Sequence, residues 1–373
     1  MKLLYVAPSA YLLGGVQDWL ADLVAGQRAL GVEVSVAVPD DSVHRLQPYA
    51  ERYPALRAIP FRNPSGSPQG RIEALADLLH RHPEHLVAGV NIADLWPAVR
   101  RSRRQGTFRG KAVLTLHALE AEYYADLRDQ RDLIDAVVAT NRLSGALAAK
   151  LGGIAAQRVL HAPYGVDIAA AAEKTAPDPA DADRLELVWV GRLERSQKRV
   201  QDLRPILEAL DAAGHRFHLT IAGDGPEREA LERELAPWRQ RGAVQLLGAI
   251  ARDRLRREVY RPGRVLLITS RWETGPIVAW EAIAAGMAVV SSRFVGSGLE
   301  GALLDGRTAL LYPTADAAAA ARQLGRLSDR QLLAELAAAG LERVRNRYSR
   351  EASLEAWMEA FSTAAALPAL PTP

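Results

Sequence analysis

At 373 residues the chain is too long for one ordinary core and too short for three, so two domains are expected. Hydrophobic residues make up 49% and charged residues 24%, which excludes a disordered or collagen-like chain, and the absence of cysteine excludes disulfides, thiolate metal sites and a cysteine nucleophile. A formal charge of only +3, from 47 basic and 44 acidic residues, is no nucleic-acid signature, and no nucleic-acid partner is expected.

The start, Met1 to Ala7, holds a short apolar run without a signal-peptide cleavage pattern, and no stretch of about 18 uncharged apolar residues follows. A cytoplasmic protein is the expectation. Short apolar runs then alternate with longer amphipathic segments. Residues 3–7 precede a helix-like 16–30; runs at 32–38 and 57–61 precede a helix-like 72–80; runs at 86–90, 113–117 and 136–140 come next. A helix-like 143–151 stops at Gly152-Gly153, and a run at 158–161 ends at Pro163. This β/α alternation predicts a parallel sheet covered by helices.

Residues 171–184 hold two prolines among alanines and acids with no apolar period, and read as a connector. A second β/α series follows at 185–190, 217–222, 243–247 and 265–269, ending against Gly191, Gly223, Gly248 and Ser270. Strand ends of this kind are where open α/β sheets bind ligands. Residues 315–366 are alanine-rich and helical, with breaks near Gly325 and Tyr348-Ser349. Leu354, Trp357, Met358 and Phe361 give the last helix an apolar face to bury.

The sharpest local feature is the run from Arg271 to Glu281, directly after an apolar strand. Proline at a first helical position loses only an amide that would be orphaned there, so Gly275-Pro276 predicts a helix start. The amides of Ile277 and Val278 would then be free at the positive helix end, a ready phosphate site. Glu281 is the only charged residue between Thr274 and Ser292, on a helix apolar nearly all round, so its carboxylate is predicted to be buried and to require donors. A core arginine or the hydroxyls of a bound ligand would supply them.

Arg192 follows a strand and Gly191, with Lys198 six residues on; the two cations would neutralise a pyrophosphate or lie on a solvated face. Ile221 to Pro226 contains two glycines that permit a tight turn, which a plain strand-to-helix connection also explains. Gly14-Gly15 lies between the first strand and its helix, as a phosphate-approach loop or a structural turn would. His117 ends the run at 113–116, at the sheet's carboxyl edge, either lining a ligand or satisfied structurally. Arg100, Arg101, Arg103 and Arg104, with Arg109 and Lys111, have no acid among them. Two readings stand: a solvated helix end, or peripheral contact with anionic headgroups of the inner membrane leaflet, each basic residue contributing about 1 kcal/mol.

In order, Gly14-Gly15, Pro163-Tyr164-Gly165-Val166-Asp167, Gly191-Arg192 with Lys198, Gly223-Asp224-Gly225-Pro226, the Glu273 and Glu281 pair, and Asp305 to Leu311 resemble the retaining glycosyltransferases of glycosyltransferase family 4. The resemblance spans almost the whole chain. It implies the GT-B fold, an α/β architecture of two Rossmann-like, doubly wound parallel-sheet lobes facing a cleft. An acceptor-binding domain over 1–170 and a nucleotide-sugar-binding domain over 171–350 are implied, with the last helix, in 351–373, packing back on the first. The donor is a nucleotide sugar, with no further cofactor and no metal. The acceptor is a glycan or a lipid-linked molecule, and hexosyl transfer retains the anomeric configuration by same-face attack, in cell-surface polysaccharide or glycolipid synthesis.

By this resemblance Arg192 and Lys198 hold the diphosphate and Glu281 the ribose hydroxyls. Glu273, with Thr274, Gly275 and the amides of Ile277 and Val278, contacts the donor sugar; Gly191, Gly223 and Ile250 complete the donor site. Gly15 lets the first-lobe loop approach the diphosphate, and His117 lines the sugar site, so that Glu273, His117, Arg192 and Lys198 form the catalytic set. Thr274 stands where the family has glycine, Gly275-Pro276 where phenylalanine-glycine is common, and Tyr164 where asparagine is common. Competing readings are a nucleotide-sugar 2-epimerase, against which the paired-glutamate segment argues, and a non-catalytic nucleotide-sugar-binding protein. Against the latter stands the presence of Arg192, Lys198, Glu273 and Glu281.

Overall fold

The computed structural model describes residues 1–10, 15–83, 85–117, 119–168 and 184–371. Gly14 and the expected connector, Arg184 excepted, lie outside the described residues. The first sheet contains β1 (Lys2–Val6), β2 (Glu33–Asp40), β3 (Ile59–Arg62), β4 (Leu86–Val90), β5 (Ala112–Leu116), β6 (Ala136–Ala139) and β7 (Val159–His161). The second contains β8 (Leu185–Val190), β9 (Phe217–Ala222), β10 (Val244–Gly248), β11 (Val265–Ile268), β12 (Ala288–Ser292) and β13 (Leu310–Tyr312). The paired strands run parallel, and β4 and β5 are buried at every position, as strands covered on both faces must be.

The strand orders are β3-β2-β1-β4-β5-β6-β7 and β10-β9-β8-β11-β12-β13. Each order reverses once, between β1 and β4 and between β8 and β11. The connections leaving those neighbours depart to opposite faces, so a crevice opens at the carboxyl ends of that pair. Two Rossmann-like lobes are thus in place. Helices bury one stripe each: in Leu203–Ala212, Leu203, Ile206, Leu207 and Leu210 repeat at helical spacing and are fully buried in the second core.

The second sheet has two strands more than the four apolar runs predict. Helix Ile277–Ala284 is apolar nearly all round and runs into β12 across Ala285-Gly286-Met287, so no change of period separates them in the sequence. The break expected near Gly325 follows directly, helix Ala317–Arg326 giving way to the next at Arg330; a Cβ on Gly325 would sit 2.4 Å from Nε2 of His215, so glycine there also serves close packing.

The chain divides into residues 1–164 with the segment from Ser353 onward, and residues 165–352. The division precedes residue 170 because Val166 bridges to Ser349: its amide donates to the Tyr348 carbonyl at 2.8 Å, and Arg350 donates to the Val166 carbonyl at 2.8 Å. Helix Arg350–Ala366 buries Trp357 and Phe361 in the first unit, with Phe361 edge-on to Tyr5 at 5.9 Å and Trp357 at 4.8 Å from Trp19. Ser353 and the Trp357 indole both donate to the Pro163 carbonyl, at 2.7 and 3.1 Å.

Candidate functional site

In the second unit the loops leaving β8 and β11 meet at the point where the strand order reverses. Lys198 donates to Oε1 of Glu273 at 2.7 Å, and Ser270 donates to the same oxygen at 2.5 Å. The pair is largely buried, with 19% of the Lys198 side chain and 6% of the Glu273 side chain exposed. Lys198 is held from behind by its own backbone: Thr269 donates to the Lys198 carbonyl at 2.6 Å and accepts from the Trp189 indole at 3.0 Å. The loop before it wraps a carboxylate. Glu194 accepts from the amides of Ser196 at 2.7 Å and Gln197 at 2.9 Å, and from the amide of Lys198. Burial raises the Glu194 pKa, but the Lys198 amide, the Ser196 hydroxyl and the other amides outweigh it and hold the carboxyl below its ordinary value. Arg192, in the same loop, is exposed, and among the described residues no hydrogen bond or ion pair engages its guanidinium.

The glycines are set by backbone approach. Gly223 has φ of +149°, and a Cβ on it would lie 1.8 Å from the Gly191 carbonyl oxygen; one on Gly225 would lie 2.5 Å from that of Leu193. The ends of β8 and β9 therefore touch backbone to backbone, joined by Gly191 donating to Ala222 at 3.1 Å and Leu193 to Asp224 at 2.9 Å.

Glu281 is buried, and arginine is its partner. Arg252 Nε donates to Oε1 of Glu281, and Arg256 donates to the same oxygen at 3.1 Å. Of the two donor sources open in the sequence, a core arginine is thus present twice. Pro276 sits one position earlier than expected, at the cap of helix Ile277–Ala284 rather than in its first turn. Gly275, at φ of +112°, turns the chain so that the Ile277 amide donates to the Gly275 carbonyl at 2.8 Å. That amide is not free. Thr274 is half-buried beside it, and Ile250, after β10, packs partly buried on the core below the helix.

In the first unit Gly15 begins helix Gly15–Ala29. His117 is buried at the end of β5, with Nδ1 2.7 Å from the Tyr164 hydroxyl and Nε2 3.0 Å from Oγ1 of Thr115. Thr115 gives its own proton to the Gly89 carbonyl at 3.2 Å, so a neutral ring protonated on Nε2 satisfies every partner. Burial pushes the His117 pKa down to about 3. Trp19, at 4.5 Å, and Trp357, stacked at 6.4 Å, wall the ring in. Of its two readings, the geometry has the satisfied residue.

The basic run finds counter-charges elsewhere in the chain, while Arg101 and Arg104 stay exposed, as a solvated helix end is. Arg100 pairs with Asp132 at 3.0 Å, Arg101 with Glu73 at 3.4 Å, and Arg103 with the buried Asp135 at 2.5 Å. Lys111 stands 3.6 Å from Asp135, and Arg104 also has a partner. Carboxylates distant in sequence supply the missing acids, so these arginines tie helix Leu95–Arg104 to its neighbours. Among the described residues no helix is long and apolar enough to cross a membrane.

The sequence reading misses Glu194, Ser270, Arg252 and Arg256. Arg252 and Arg256 are four residues apart, a spacing that puts two side chains on one face, and this is the signal that could have paired them with a buried acid.

Residues 13–170 match the family described as Glycosyltransferase Family 4, and residues 184–330 that described as Glycosyl transferases group 1. The chain is similar to the gpi3 subunit of phosphatidylinositol N-acetylglucosaminyltransferase from Schizosaccharomyces pombe, 31% identical over 127 residues, which are 34% of this chain and 27% of that one. It is also similar to glycogen synthase from Mycobacterium tuberculosis, 32% identical over 133 residues, which are 36% of this chain and 31% of that one. The alignments thus span less than a third of the length of these relatives. In fold the chain is similar to Anabaena HepE, solved in complex with UDP, with a TM-score of 0.78 at 18% identity over 97% of this chain and 100% of that one. Two parallel sheets with a reversing strand order, superposable on a glycosyltransferase-family fold, define the fold as GT-B. The chain thus has the GT-B fold, with a match to one glycosyltransferase domain in each half.

Proposed function

We propose that the chain is a retaining enzyme of family 4 that transfers a hexosyl group from a nucleoside-diphosphate sugar to a glycan or lipid-linked acceptor, in the cytoplasm, during cell-surface polysaccharide or glycolipid synthesis. The observation that carries this reading is the Lys198–Glu273 pair beside an exposed Arg192 at the β8/β11 reversal, in a chain whose halves both match glycosyltransferase domains. The names of the two relatives support both acceptor classes, one being named for phosphatidylinositol and the other for glycogen. HepE, with its bound UDP, makes uridine diphosphate sugars the first donors to test.

On this reading the departing diphosphate gains negative charge as the glycosidic bond breaks, and a cation fixed beforehand costs no reorganisation at that moment. Lys198 is fixed by Glu273 and by its loop, and Arg192 has a planar fork to offer. With the diphosphate on Lys198, Glu273 keeps the Ser270 hydroxyl and accepts from hydroxyls of the donor sugar. Glu281, with both arginines on Oε1, gives its other oxygen to the ribose. Gly191, Gly223, Ile250, Thr274, Gly275 and the helix start shape the donor pocket of the second unit, while Gly15 and His117 belong to the first unit. No metal is required in this scheme.

The test is to incubate the full chain with uridine, guanosine and adenosine diphosphate sugars and saccharide acceptors in excess chelator. Nucleoside-diphosphate release and the product's anomeric proton signal are followed. Transfer with the donor's configuration is expected. Binding without turnover would make this a binding protein, an inverted anomeric centre would remove retention, and activity restored only by magnesium or manganese would overturn metal independence.

A further inference from the structure

A pocket of about 530 Å³ opens in the first unit at the carboxyl ends of β2 and β3. Asp40, the last residue of β2, and Arg62, the last of β3, are register partners and pair at 3.2 Å. Arg71, in the first turns of helix Pro68–Arg81, pairs with Asp94 at 2.9 Å and donates to the Pro8 carbonyl at 2.8 Å. Asp41 accepts from the amides of Val43 and His44, each at 2.8 Å, and so folds the rim back on itself. The fold leaves Val43 73% exposed there.

Each arginine in this pocket already has its carboxylate, so an anion would find no unmatched cation. What remains is hydrogen-bonding capacity. A carboxylate has about four lone-pair sites and a guanidinium five donors, and Asp94 and Arg62 are 40% and 72% exposed with one ion pair each. Alternating acceptors and donors around a pocket suit vicinal hydroxyls, and an exposed valine suits the C–H face of a sugar ring. Strands lie about 4.8 Å apart, and β2 and β3 are the first and second neighbours of β1 on this side. The pocket is therefore roughly 5–10 Å along the sheet edge from the end of β1, about one sugar ring away.

We propose that this pocket is an acceptor subsite for an uncharged hexose ring, the one next along the glycan from the ring being glycosylated. The proposal rests on the glycosyl-transfer reading above. It requires that a disaccharide bind better than a single ring, and that the gain depend on Asp94 and Val43.

The test uses the full chain with methyl hexosides and with maltose, lactose and mannobiose as probes. Saturation-transfer NMR reads binding, and nucleoside-diphosphate release reads turnover. At least one disaccharide should bind about tenfold more tightly than any methyl hexoside. Asp94→Asn and Val43→Ser should remove that gain while donor hydrolysis stays at the wild-type rate. Val43 is exposed, so its replacement leaves folding intact even if the Asp94 variant is unstable. Disaccharide binding unchanged in both variants, or no saturation transfer from any saccharide, would overturn the subsite. So would tighter binding of hexose 6-phosphate, displaced by inorganic phosphate, which would make the pocket an anion site. If no donor turns over, glycosyl transfer fails as a reading, and the NMR comparison still decides the pocket.

Discussion

At the end of β5, His117 spends both ring nitrogens on Tyr164 and Thr115 behind two tryptophans, whereas at the ends of β8 and β11 Lys198 and Glu273 hold each other beside an exposed Arg192. Both are carboxyl edges of parallel, doubly wound sheets. The first edge spends its polar valences internally and offers a ligand shape. The second keeps charge on the ends of long side chains, a fixed Lys198 beside an exposed Arg192, and offers a ligand counter-charge. The lesson is that the scaffold gives a place for chemistry, and the side chains' remaining valences decide whether chemistry happens there.

The comparison breaks most visibly if the second edge loses its backbone contact. Gly223→Ala places a methyl group against the Gly191 carbonyl and forces a β-carbon into a φ of +149°. A loss of more than about 3 kcal/mol is expected in urea denaturation; wild-type stability would show that the β8 and β9 ends can separate freely. Next comes Glu281→Gln, which removes the buried carboxylate charge that Arg252 and Arg256 share and should cost roughly 3–5 kcal/mol. A variant of unchanged melting temperature but lost nucleotide affinity would move Glu281 from the core to the ligand.

Lys198→Ala should weaken nucleoside-diphosphate binding by about 1–3 kcal/mol in calorimetry, the range for a charge-assisted hydrogen bond. Affinity equal to wild type would make the Lys198–Glu273 pair purely structural. The first edge is sharpened by pH. His117 is neutral in the folded chain down to a pKa of about 3, while the unfolded chain binds the proton near the ordinary value of 6.5. The unfolded state therefore holds more protons between those values, and stability falls as pH drops from 6.5 toward 3, by about 1.4 kcal/mol per pH unit. His117→Phe should remove that part of the slope; an unchanged slope would mean the ring takes up its proton while folded.

Much of the scaffold was legible. The apolar runs at 86–90, 185–190 and 217–222 coincide with β4, β8 and β9, because turn-forming or polar residues bound them sharply. β12 was hidden where an all-round apolar helix runs into a buried strand, and β13, only Leu310–Tyr312, is too short to show a period. Burial of Glu281 was readable as a lone charge among apolar residues. Its partners were not, because Arg252 and Arg256 stand in a stretch as charged as any surface helix. Distant acids were equally invisible for the run at Arg100, whose counter-charges lie on Asp132, Glu73 and Asp135. Gly275-Pro276 marked the right helix start, but the φ of Gly275 shifted the proline to the cap and closed the Ile277 amide.

The central claim is that the second edge recognises a nucleoside diphosphate by charge, and Arg192→Ala tests it most directly. Arg192 holds no described partner, so its removal should leave the melting temperature of the free chain unchanged. Calorimetric titration with uridine, guanosine and adenosine diphosphates should show the preferred nucleotide binding about tenfold more weakly, near 1.4 kcal/mol. Equal affinity in Arg192→Ala and wild type, or no binding of any of the three to the wild-type chain, would contradict the account.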